Sequence, residues 1–131
     1  MAFLPYSVEH GRVPAFEYLP CSAITPKIGM ALTQDTGNLA IASGTTKPTY
    51  ISMAEYGSAV TAGTIIPVIR VDDGIIFETT FSASASSIKL GNKVTLASDG
   101  LRVTATTSSG VAEVVYMDGT SSGDMCRVRF A

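Results

Sequence analysis

From residue 30 onward, short apolar runs alternate with clusters of Gly, Asp, Asn and Ser, the pattern of strands joined by tight turns. Residues 30–33 and 39–42 flank Asp35-Thr36-Gly37-Asn38, which predicts a hairpin whose Gly and Asn take positive φ. Residues 50–53 form a short strand candidate. Residues 65–71 and 75–81 enclose Asp72-Asp73-Gly74, and Asp-Gly between β-branched runs predicts a second hairpin. The first of that pair is apolar on both faces except for Arg70, which places it inside a sheet or at a subunit contact, although Pro67 favours an edge or a bulge. Residues 82–87 hold only Ser and Ala and read as a loop with nothing to anchor a core. Residues 93–97 and 101–105 alternate around Ser98-Asp99-Gly100, with Gly100 suited to the left-handed position of a three-residue loop. Strands over 111–117 and 125–130 close the chain, the last with Cys126, Val128 and Phe130 on one face and Arg127 and Arg129 on the other. The reading is all-β: a compact, barrel-like domain of about eight short antiparallel strands with almost no helix.

The first residues follow another rule. Pro5, Pro14, Pro20 and Pro26 fall among Phe3, Tyr6, Phe16 and Tyr18, and prolines fix φ and remove donors. Residues 1–28 therefore read as an extended Pro- and aromatic-rich N-terminal arm, neither helix nor central strand, preceding a β-domain over 29–131. Four large aromatics need apolar surface, so the arm either wraps its own domain or docks on a partner. Phe3, Tyr6, Phe16 and Tyr18 are the candidate contacts. On this reading a chain without residues 1–26 folds and loses its binding.

Composition narrows the classes. The 131 residues are 46% hydrophobic and 15% charged, which excludes a disordered chain, and a formal charge of −2 argues against a nucleic-acid partner. Residues 65–69 are the strongest apolar run, far short of a membrane span, and the start of the chain lacks the basic and apolar regions of a signal peptide. Synthesis in a cytoplasm, with no membrane partner, is expected. Cys21 and Cys126 read as small buried thiols, and the sequence leaves a disulfide between them open.

Catalytic chemistry has little to work with. His10, the single histidine, lies in the arm, where preorganisation is poor, and reads as an exposed residue. Lys89-Leu90-Gly91-Asn92-Lys93 lacks P-loop spacing and reads as a turn. Three Cys and His residues are too few for structural zinc, and Asp72-Asp73 with Asp118 and Asp124 do not have EF-hand spacing. No catalytic residue, metal site or cofactor is assigned, and an enzyme is not expected.

The block Leu90-Gly91-Asn92-Lys93-Val94-Thr95-Leu96-Ala97-Ser98-Asp99-Gly100-Leu101-Arg102-Val103-Thr104-Ala105-Thr106, with Gly110-Val111-Ala112 and Gly123-Asp124-Met125-Cys126-Arg127-Val128-Arg129-Phe130, resembles the C-terminal half of small head decoration (cement) proteins of tailed bacteriophages. Gly44-Thr45-Thr46-Lys47-Pro48-Thr49-Tyr50-Ile51-Ser52 and Ile66-Pro67-Val68-Ile69-Arg70-Val71 extend the likeness, which spans about residues 29–131. The resemblance implies a β-tulip-like domain, a homotrimer, and a structural role on the exterior of the virion capsid, bridging major capsid subunits and stabilising the head. The arm has no counterpart in that likeness. Two other classes compete: a different virion interaction module, such as a head-fibre base or tail domain, and a carbohydrate-binding β-domain.

Overall fold

A computed structural model of the chain describes residues 2–8 and 14–130. These form ten strands: β1 (Leu4–Val8), β2 (Glu17–Cys21), β3 (Ala31–Asp35), β4 (Asn38–Ile41), β5 (Tyr50–Ser52), β6 (Thr64–Arg70), β7 (Ile75–Thr80), β8 (Lys93–Val94), β9 (Ala112–Met117) and β10 (Met125–Phe130). The fold is all-β, compact and built of two sheets. One is an open five-stranded sheet in the order β1-β7-β10-β9-β8, and the other is a closed five-stranded barrel in the order β2-β4-β3-β5-β6.

Strand alternation divides the barrel's side chains between two apolar interiors. Leu32, Leu39, Tyr50, Ile66 and Val68 pack with Cys21 in one buried cluster inside the barrel. Their neighbours Ala31, Ile51 and Ile69 face outward, into a larger cluster with Phe77, Val114, Val128 and Phe130 of the open sheet. β6 is apolar on both faces because it lies between two cores, although its Ile65 end is exposed. Pro67 fits there without a lost bond to a neighbouring strand. Its carbonyl accepts from Met53, one residue past the end of β5, so its missing donor faces the same side, where the ladder stops.

The hairpin expected between residues 65–71 and 75–81 does not form. β6 pairs with β2 and β5, whereas β7 pairs with β1 and β10, so Asp72-Asp73-Gly74 carries the chain from barrel to sheet. The Asp72 carboxylate accepts from the Gly74 N–H at 2.8 Å, and Gly74 is not among the glycines with positive φ, which a type I′ Asp-Gly turn requires. The hairpin between β3 and β4 does form. Its left-handed residues are Thr36 and Gly37, and Asn38 already belongs to β4.

Around Gly100 the expected turn holds. Its φ is +69°, Ala97 accepts from its N–H, and an added Cβ would lie 2.8 Å from Ile41 Cγ2, so glycine also lets this turn approach the barrel. The Ser and Ala tract at 82–87 is a loop, but it does anchor core: Ala85 is fully buried and donates its N–H to Thr120. Lys89 and Asn92 form the expected turn, with the Asn92 side chain accepting from the Lys89 N–H at 2.9 Å.

Both described parts of the N-terminal segment are extended and belong to the sheets. β1 is an edge strand on β7, and β2 closes the barrel between β6 and β4, paired on both sides. The expectation that this segment contains no strand with two neighbours is thus corrected by β2. Pro20 is accommodated opposite Ile65 on β6, and only Cys21 registers with β4. His10 lies outside the described residues. Cys21 and Cys126 are free thiols, buried in different clusters.

Candidate interaction surface

The four aromatics named as contacts separate in space. Phe3 is fully buried, with its ring 5.3 Å from Phe130 in edge-on contact and its N–H donated to the Gly29 carbonyl, so it holds the fold together from inside. Phe16 and Tyr18 are 50% and 66% exposed and lie at the barrel wall. Pairing of Tyr18 with Pro67 and of Pro20 with Ile65 puts these residues on one outward face, where Ile65 is 55% exposed. Residues 18–26 and 56–69, which include most of β2 and β6, contain no charged side chain. An aromatic stripe beside so long an uncharged stretch has the composition of an interface centre.

A polar triad joins β2, β5 and β6 of this barrel. Arg70 donates Nε and Nη2 to the two carboxylate oxygens of Glu17 at 3.2 and 3.3 Å, and Nη2 also donates to the Tyr50 hydroxyl at 2.8 Å. The hydrogen bond to Glu17, supported by Tyr50, raises the Arg70 pKa above its already high value.

Tyr6 belongs to a second surface, on the outward face of the open sheet. Its ring lies 3.6 Å from the Arg127 guanidinium, and the ring of Tyr116 lies 4.5 Å from the same group. Glu78 on β7 accepts from Arg127 Nε at 3.1 Å, which completes a row across β1, β7, β10 and β9. A parallel row runs from Arg129, whose Nε donates to Glu113 at 3.0 Å, to Lys93, which registers with Glu113.

Two irregularities aim the tyrosines. Register shifts between Pro5 and Ser7, so Tyr6 is the extra residue of a bulge. The β9–β10 ladder shifts between Arg127 and Val128, so Val115 is passed over and Glu113 and Tyr116, three residues apart, both face outward. The sequence marks Tyr6 as an aromatic without a home. It carries no signal for either bulge, because a bulge is a property of two paired strands.

Among the described residues there is no pocket and no group of three or more His, Cys, Asp or Glu able to hold a metal ion. The loop carboxylates do local work: Asp124 accepts from the Ser121 N–H at 2.9 Å, as Asp72 does from Gly74. No family model and no curated protein matches the chain.

Proposed function

We propose that the protein is a structural virion component that binds the outside of a tailed-bacteriophage capsid, as a homotrimer of β-tulip-like protomers that bridge major capsid subunits. The observation that carries this reading is the exposed stripe of Phe16, Tyr18 and Ile65 on a barrel wall in which residues 18–26 and 56–69 carry no charge. The resemblance of residues 29–131 to head decoration proteins supports it from the sequence. Aromatic anchors of this kind dominate interface energies, and a trimer that engages several subunits gains through multivalency what one small contact lacks. Resistance to internal pressure then comes from added interface area and needs no chemical step.

The test is occupancy on mature heads of the phage that encodes the chain. Wild-type protein is expected to bind these heads and to delay their rupture on heating or chelation. A Phe16→Ala, Tyr18→Ala variant should keep its fold, since both side chains are exposed, and lose about 2 kcal/mol or more of binding, some thirtyfold in affinity. Heads that take up no wild-type protein, or density confined to the tail, overturn the reading.

A further inference from the structure

The outward face of the open sheet holds hydrogen-bond donors that the fold leaves unused. Arg127 gives its Nε to Glu78 and Arg129 gives its Nε to Glu113, while among the described residues the Nη groups of both arginines make no hydrogen bond. The two guanidiniums stand two residues apart on one face of β10, about 6–7 Å along the strand. On that face Arg127 is held in place by Tyr6 from the β1 side and Tyr116 from the β9 side, each brought there by a bulge. Bulges that re-aim two side chains at one guanidinium preorganise that group, and a preorganised planar fork loses little freedom when it receives a carboxylate.

We propose that this face docks a protein partner through a carboxylate side chain flanked by apolar residues. Charge selects the ligand. Among the described residues, Arg127, Arg129 and Lys93 face Glu78 and Glu113, a surplus of one positive charge on a chain whose net charge is −2. A monoanionic carboxylate matches that surplus and accepts two parallel bonds from an arginine's free nitrogens. A phosphate dianion brings more charge than the surplus and is repelled about twice as strongly as a carboxylate by the two glutamates. The exposed Tyr6 and Tyr116 then cover the apolar neighbours of the carboxylate, and Tyr and Arg are both enriched among the residues that dominate interface energies. This face is distinct from the barrel wall, and the inference stands whether or not the partner is a capsid.

The experiment uses the whole chain labelled with nitrogen-15 and follows the arginine Nε–H resonances by NMR. The probe is a short blocked peptide of alternating Glu and Leu, with a Gln and Leu peptide and inorganic phosphate as controls. The Glu peptide is expected to move the Arg127 and Arg129 resonances, and the two controls to leave them in place. Arg127→Lys keeps the charge and removes the fork, and Arg129→Gln removes the charge outside the tyrosine stack. Each should weaken the peptide about tenfold or more. Because Arg129 touches neither tyrosine ring, its variant remains informative if Arg127→Lys loosens β1. Unmoved arginine resonances with the Glu peptide, a phosphate response as large as the peptide's, or full affinity in both variants overturns the proposal.

Discussion

Cys126 is fully buried in the cluster between the sheets, and burial pushes its thiol up from the ordinary 9.0 to about 12. The folded chain therefore keeps a proton that the unfolded chain loses as pH rises past 9.0. Between that value and about 12 the unfolded state binds fewer protons, so stability is full below the window and falls through it. A Cys126→Ala variant should be less stable at neutral pH by about 1 kcal/mol, for the small void left behind. It should also lose less stability than the wild type on going to strongly alkaline pH. Urea unfolding of both chains at neutral and alkaline pH measures the difference, and parallel losses in the two would refute this account of Cys126. The inward place of Cys126, Val128 and Phe130 is legible in the sequence because strict alternation has one reading on a half-buried strand. The contact of Tyr6 with Arg127 is not, because a bulge shifts the alternation at the residue that matters.

At the scale of elements, local turn chemistry and long-range pairing compete. Thr36-Gly37 makes the hairpin that its neighbourhood predicts, since β3 and β4 are both free to pair across it. Asp72-Asp73-Gly74 has the stronger local signal and makes none, because β2 and β5 occupy both edges of β6 while β1 and β10 occupy those of β7. Three of these four partners come from distant parts of the chain, which no local window contains. The same competition places β1. Pro5 marks residues 2–8 as extended, but only the pairing with β7 and the burial of Phe3 make them part of the fold. Removal of residues 1–8 should therefore do what the sequence alone argues against, and cost the chain its stable fold. Loss of the Phe3 side chain alone amounts to about 3–5 kcal/mol, against a total stability of about 5–15 kcal/mol for a typical domain. The truncated chain also exposes the edge of β7 to pairing with other copies. Thermal unfolding followed by circular dichroism should show a much lower midpoint and a tendency to aggregate. A truncated chain that melts at the wild-type temperature would return residues 1–8 to the role of a dispensable arm.

The whole molecule has two sheets but shares a wall between its two cores. Ala31, Ile51 and Ile69 are outer residues of the barrel and inner residues of the cluster shared with the open sheet, while their neighbours Leu32, Tyr50 and Val68 fill the barrel. Neither sheet can open without exposing apolar surface that belongs to the other, so barrel and sheet should unfold as one cooperative unit. An Ile69→Ala substitution tests this at the shared wall, where the lost packing should amount to about 2–5 kcal/mol. Hydrogen exchange at the amides of β5, in the barrel, and of β10, in the sheet, should then show equal losses of protection. Leu39→Ala is the sharper case, because Leu39 packs only inside the barrel. If the unit is cooperative, this change too lowers the protection of β10, on which Leu39 makes no contact through its own cluster. A barrel that loses protection while β10 keeps it would show instead that the shared wall separates two independently folding parts.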